Sequence, residues 1–434
     1  MKTSGLYTWT VLMILQSLVA GAVSMSSISR QYLPERYQEE GDNSHHHDGA
    51  HNSVFSLVCY YSIGQPYQGL LPPNINVSFC SHVIFLGTII QNSQVTAASE
   101  IDVELYFKKV VLLKKMKPSL KVLLSNGGNF SQVLNTQENR TRFAETAVPL
   151  LRKYGFDGLD LDWEFPAWNG LPAQQKHNLT LVAQTIRATF EAELDNMAST
   201  AFFSQWRSVQ SMTCWLQSMR YYKHLSWLEN CLREPNESSN KKCVDFVNVM
   251  TYDLHFYNKL IPLTGHNSPL FHGDEVLDET VFKNKTFSWA ATAWVRGGMR
   301  KDQVMTGIPT YAHTFNLLFE EWHDVYALAT GVGKIGDFLN YDNVCQLIKN
   351  NSTTVVWDDK SKVPYLYQGT LWVSYDNVRS VTLKTQYLLQ QGFGGAMVYS
   401  LNCDDYKGTC DGKTTWPLFK AITAAIKDFQ KDRT

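Results

Sequence analysis

The stretch that decides the fold is FDGLDLDWEFP, residues 156–166, where Asp157, Asp160, Asp162 and Glu164 fall within an otherwise apolar run. As a β-strand it alternates: Asp160, Asp162 and Glu164 share one face, and Leu159, Leu161 and Trp163 share the other. The apolar face packs against helices, so the acidic face looks into an enclosed interior. Three carboxylates about 7 Å apart on one strand face disfavour one another's ionisation. One of them is therefore expected to hold a proton near neutral pH, beside a partner that stays charged, which is the condition a general acid needs. Pro166 ends the run and leaves Glu164 at the strand's C-terminal end.

Similar strands recur outward from this one. FSLVCYYS, SHVIFLGTII, LKVLLSNGG, CVDFVNVMTYDL, QVMTGIPTYA and FGGAMVYSL are near-continuous apolar runs. Amphipathic stretches such as AETAVPLLRKYG, LTLVAQTIRATFEAEL and VTLKTQYLLQQG lie between several of them. Buried strands alternating with helices predict an α/β fold with a parallel sheet, and seven of them predict a (β/α)8 TIM barrel with one strand unread. The eighth is expected between Leu194 and Lys242, where aromatic helical texture hides it. The segment at about 315–374 is too long for one crossover helix, and TTVVWDD, PYLYQGT and LWVSY predict a small α+β insertion before the last strand.

The ends and the composition add context. MKTSGLYTWTVLMILQSLVAGAVS, residues 1–24, reads as a signal peptide, with Lys2 before an apolar run and then small residues. Residues 25–52 read as a polar, disordered leader, in which His45, His46, His47 and His51 could bind a metal but read as a solvated linker, since no acidic or cysteine ligand set with defined spacing accompanies them. The barrel is assigned to 53–434. Eight cysteines fit an oxidising compartment, and the sequons at Asn76, Asn129, Asn139, Asn178, Asn236, Asn284, Asn350 and Asn351 fit glycosylation of a secreted, extracellular protein. A net charge of −1 gives no electrostatic reason to expect nucleic acid or an acidic membrane as partner, so a neutral partner fits better and a monomer is expected.

The acid run resembles the Asp-x-x-Asp-x-Asp-x-Glu signature of the family-18 glycoside hydrolases, the chitinases and chitinase-like lectins. LVCYYS, FCSHVIF, KVLLSNGG, VNVMTYDLH, TGHNSPL, GIPTYAHTF, YDNVCQLI, WVSYDNVRSV and GFGGAMVYSLNCDD follow the family's order, so the resemblance covers about Ser56 to Ile426. It implies a substrate-assisted, retaining cleavage of chitin or N-acetylglucosamine oligosaccharides, without metal or cofactor. By that resemblance Glu164 protonates the glycosidic oxygen and Asp162 turns to the acetamide N–H. Asp160 shares a proton with Asp162, and Tyr252 holds the acetamide oxygen for attack. Asp157, Met250, Asp253, Tyr399 and Trp163 are the further substrate contacts it implies. It also implies disulfides Cys59–Cys80 and Cys345–Cys410, and leaves three pairings open among Cys214, Cys231, Cys243 and Cys403.

The chain departs from the family at its aromatic positions. Asn129 follows LLSNGG where the family commonly has Trp, Tyr399 replaces the Trp that floors the reactive-sugar subsite, and IGQPYQGLLP lacks a Trp. His313 stands where an Arg is usual and is expected to be a local packing or hydrogen-bonding residue. Sugar rings are held largely by stacking on aromatic faces, so these losses weaken binding without touching the acids. Two functions follow: a secreted chitinase-type hydrolase, and a chitinase-like lectin or growth-factor-like protein with little turnover.

Overall fold

A computed structural model describes residues 54–63, 69–97, 103–128, 130–164, 174–198, 211–217 and 243–433. The 1–24 and 25–52 expectations, the histidine cluster, Asn129, Asn236 and part of the IGQPYQGLLP loop lie outside the described residues. The main body comprises Ser53–Asp274 and Lys283–Thr434; the segment Glu275–Phe282, with the short helix Val276–Thr280, is grouped apart from it.

Eight parallel strands form the barrel: β1 Ser56–Ser62, β2 His82–Gln91, β3 Lys121–Gly127, β4 Gly158–Asp162, β5 Ser211–Gln217, β6 Phe246–Met250, β7 Val304–Pro309 and β8 Gly395–Tyr399. Each pairs with its neighbour in chain order, and β1 pairs with both β2 and β8, which closes the ring. The eighth strand is β5, inside the interval that the sequence left open, with Asp160 opposite Thr213 and Asp162 opposite Trp215. The fold is the (β/α)8 TIM barrel.

Period-two alternation sorts the side chains into two cores. Leu57, Cys59 and Tyr61 of β1 join Val83, Leu124, Leu159 and Leu161 in the layer between strands and helices. Val58 and Tyr60 point inward with Ile84, Leu123, Met250, Met305 and Met397. The outer layer is completed by α1 Val103–Val111, α2 Gln137–Tyr154, α3 Gln174–Ala198, α4 Phe287–Arg296, α5 Val378–Gln391 and α6 Pro417–Lys431. Helix α5 starts on a reciprocal cap between Asn377 and Ser380 and stops at Gly392, whose φ of 73° is the left-handed turn that glycine adopts at low cost. Its Lys384 is fully buried and meets both oxygens of Asp376 at 2.7 Å and the Ser268 hydroxyl at 2.8 Å.

Between β7 and β8 a six-stranded antiparallel sheet is inserted, formed by Tyr311–Leu317, Ala329–Gly331, Phe338–Asn340, Thr354–Asp358, Val363–Gln368 and Leu371–Ser374 with the helix Tyr341–Ile348. It starts earlier than the expected 315, because the QVMTGIPTYA run is two strands and not one. Thr310 breaks it, donating its N–H to Tyr399 O at 2.9 Å and its hydroxyl to Ser400 O at 2.7 Å, so the chain turns at the end of β8.

The first and last strands are also sewn together by side chains: Ser62 N–H donates to Asn402 Oδ1 and Asn402 Nδ2 donates to Ser62 O, both at 3.0 Å. The disulfides Cys59–Cys80 and Cys345–Cys410 are present. Cys243 is disulfide-bonded, whereas Cys403 is a buried free thiol. Among the described residues no helix is long and apolar enough to cross a membrane.

Candidate active site

The acids of β4 emerge at the C-terminal mouth of the barrel, where folds of this kind place their chemistry. Asp160 is fully buried and accepts hydrogen bonds from Ser125 Oγ on β3 at 2.8 Å and from the Tyr60 hydroxyl on β1 at 3.1 Å. Tyr60 in turn accepts from Asn248 Nδ2 on β6 at 3.0 Å, so three other strands around the barrel fix one carboxyl.

Asp162 closes β4, and its Oδ1 is buried with no hydrogen-bond partner. Burial first, then the charges of Glu164 and Asp160, hold its carboxyl well above the usual range. Glu164 lies two residues on, past the strand end, and is exposed at the mouth. Its carboxyl is nevertheless enclosed enough for burial, and then the charge of Asp253, to raise its pKa, against the pull of its hydrogen bond with Asp162. Both carboxyls are raised and each acts on the other, so Asp162 and Glu164 titrate as a pair that keeps a proton to higher pH than free acids do.

Around the acids stands a pit of phenols. Tyr399 at the end of β8 is ringed by Tyr60 at 6.0 Å, Tyr252 at 5.9 Å and Tyr311 at 6.0 Å between centroids. Tyr252 is buried and donates to Met397 Sδ at 3.6 Å. Burial, then Tyr399 and the carboxyls of Asp253, Glu164 and Asp162, hold its hydroxyl protonated well above the usual range. It is thereby a neutral donor beside the acids. Gly307 on β7 makes the room: a Cβ there would sit 2.7 Å from the Tyr252 ring and 2.7 Å from Val249 O. Met250 is buried in the inner core beneath.

Asp253 follows Tyr252 with a left-handed φ of 53°, its N–H bound to Asn267 Oδ1 at 2.7 Å. Its carboxylate accepts from the Tyr311 hydroxyl and from His313 Nε2, the latter at 2.8 Å, while His313 Nδ1 meets Asp337 Oδ1 at 3.1 Å. Burial pulls the imidazole down, but the bonds to Asp253 and then Asp337 outweigh it and raise it to about 9. His313 is thus a clamped cation between two carboxylates. The hydrogen-bonding part of its expected role fits this geometry.

The structure brings Asp160, Asp162, Glu164, Tyr252, Met250, Asp253 and Tyr399 together. It places two other expected contacts elsewhere. Asp157 lies an odd number of residues before Asp160, hence on the outer face, where it accepts from Val122 N–H at 2.8 Å and pairs with Lys114 at 3.1 Å. Trp163 is on the same outer face, buried and stacked on Phe130 at 5.6 Å. Tyr60, Tyr311 and Asn248 on other strands, and Asp337 in the bend before Phe338–Asn340, escaped the sequence reading because they reach the site from far along the chain, without a local pattern.

The sequence profile of Glycosyl hydrolases family 18 matches residues 56–404. The chain belongs to glycoside hydrolase family 18. Within the family it is 31% identical to Chitotriosidase-1 of Mus musculus over 385 residues, covering 85% of this chain and 78% of that protein. It superposes with a TM-score of 0.73 and 27% identity on a structure described as "Human YKL-39 is a pseudo-chitinase with retained chitooligosaccharide binding properties", covering 86% of this chain and 100% of that one. An immunomodulatory active chitinase from Trichuris suis gives a TM-score of 0.73 at 29% identity, with 86% and 100% covered. Family-18 chains similar to this one thus include both an active chitinase and a pseudo-chitinase.

Proposed function

We propose that this family-18 chain is a secreted hydrolase of β-1,4-linked N-acetylglucosamine chains that works by substrate-assisted retention. The observation that carries the reading is the placement of Asp162, whose buried Oδ1 has no hydrogen-bond partner, between buried Asp160 and the raised carboxyl of Glu164, beside the protonated Tyr252 hydroxyl. Glu164, at the open mouth, gives its proton to the glycosidic oxygen. Before that transfer Asp160 below shares the pair's proton with Asp162; once Glu164 has given the proton away, Asp162 is left anionic, turns to accept from the acetamide N–H and balances the oxazolinium charge. Tyr252 aims the acetamide carbonyl at the anomeric carbon, and Met250, Asp253 and Tyr399 line the pocket. Export through the 1–24 signal and glycan attachment at exposed sequons such as Asn76 and Asn284 belong to the same reading, as does action by the monomer.

A second reading, glycan binding with little turnover, draws on the pit itself. Its floor is Tyr399, and among the described side chains no tryptophan lines it. The test separates the two: the purified protein should release fluorophore from a chitotriose-type substrate, and Glu164→Gln should lower the rate by about 10²–10⁴-fold with binding retained. An unmodified protein that binds chitin and turns nothing over belongs to the second reading.

A further inference from the structure

The loop after β6 carries a half-exposed aromatic that the site described so far does not use. Phe256 is 45% exposed, yet its chain is fixed on both sides. Leu254 N–H binds Asn267 O at 3.0 Å and buried His255 binds Leu263 O through Nε2 at 2.9 Å. Downstream the loop is tied by Leu260 N–H to Asn258 Oδ1 at 2.8 Å and Ile261 N–H to Asn258 O at 3.1 Å, and Tyr257 OH reaches Thr330 O at 3.1 Å. A single exposed apolar side chain is ordinary on a protein surface, so what singles out Phe256 is where its braced loop holds it.

Its position supplies a role. The Phe256 ring lies 5.9 Å from His313, His313 lies 5.7 Å from Tyr311, and Tyr311 lies 6.0 Å from Tyr399. A path of rings therefore runs from the floor of the pit to the rim and ends at Phe256. Two carboxylates flank its outer part, Asp253 and Asp337, with side chains 35% and 40% exposed. An aromatic face beside hydrogen-bond acceptors is the pairing that a pyranose recognises, apolar C–H face on the ring and hydroxyls at the edge.

We propose that Phe256 is the stacking platform of an outer sugar subsite, with Asp337 accepting from that sugar's hydroxyls, and that it recovers part of the oligosaccharide grip that a tyrosine-floored pit lacks. The ligand is an N-acetylglucosamine residue of the same chain whose inner unit occupies the pit, so the inference rests on the function proposed above. Because Tyr311 and His313 lie between pit and platform, only longer oligomers engage both.

The experiment uses the full protein carrying Glu164→Gln, so that oligomers bind without cleavage, and titrates N-acetylglucosamine dimers and hexamers by calorimetry. Phe256→Ala should weaken hexamer binding roughly two- to tenfold and leave the dimer unchanged, with Phe256→Trp restoring or exceeding the starting affinity. Phe256→Leu keeps the apolar bulk without the flat face and should behave as the alanine does. Unchanged hexamer affinity in Phe256→Ala, or an equal loss for dimer and hexamer, overturns the subsite while leaving the proposed function standing. Failure of the Glu164→Gln protein to bind any oligomer sinks both.

Discussion

Replacing His313 by Gln removes the one cation that the structure places between Asp253 and Asp337, and the resulting loss has a definite size and pH dependence. The imidazole is raised from its usual 6.5 to about 9 in the folded protein, although burial alone pulls it down. That gap corresponds to about 3 kcal/mol of folding free energy. Solvent reaches both carboxylates, whose side chains are 35% and 40% exposed, which trims the figure to roughly 2 kcal/mol. Because the folded value lies above the unfolded one, the contribution is complete below about pH 6.5 and disappears as pH rises through about 9. Urea unfolding of the protein and of His313→Gln between pH 5.5 and 10 should show a gap in stability that is full at the acidic end and shrinks through that window. A gap that stays constant across the range would refute the clamped imidazolium. The charge argument has a second consequence. With the cation gone, Asp253 acts unopposed on Glu164, so the alkaline limb of any turnover should move to higher pH.

Two further outcomes follow from the packing. Tyr399→Trp enlarges the aromatic floor that Tyr60, Tyr252 and Tyr311 surround at about 6 Å, and should tighten trisaccharide binding a few-fold by fluorescence titration; an unaltered affinity would count against Tyr399 as a sugar platform. Lys384→Met strands the buried Asp376 carboxylate without its cation and should cost about 3–5 kcal/mol, read as a lower urea midpoint at constant slope, whereas Lys384→Met with Asp376→Leu should recover most of it. A double variant as unstable as the single one would show that the charge is not the cause.

Most of the barrel was legible because buried parallel strands are apolar on both faces and stand out as continuous runs. The fifth strand, SMTCWLQ, was not, since Thr213 breaks a short apolar run bounded by Ser211 and Gln217 and the sequence around it reads as helix. The acids of the site were readable from one strand because their spacing of two is a local property. Trp163 and Asp157 were misplaced by following the motif as a unit: parity along the strand already sends both outward, to Phe130 and to Lys114. The rest of the pocket is non-local. Tyr60 reaches Asp160 across 100 positions and His313 reaches Asp253 across 60, and no periodicity announces such pairs.

The seam between β1 and β8 bears on how the molecule is made. Ser62 and Asn402 lie 340 positions apart, and Leu401 N–H completes the junction on Tyr60 O at 2.9 Å. A nascent chain emerging from the ribosome therefore exposes its carboxyls long before the tyrosine from the far end arrives beside them, and until then two raw strand margins remain unzipped. Proteolytic clipping ahead of Gly395 would reopen that zipper next to Tyr60, so the ring around the acids closes only once β8 and Asn402 have been made.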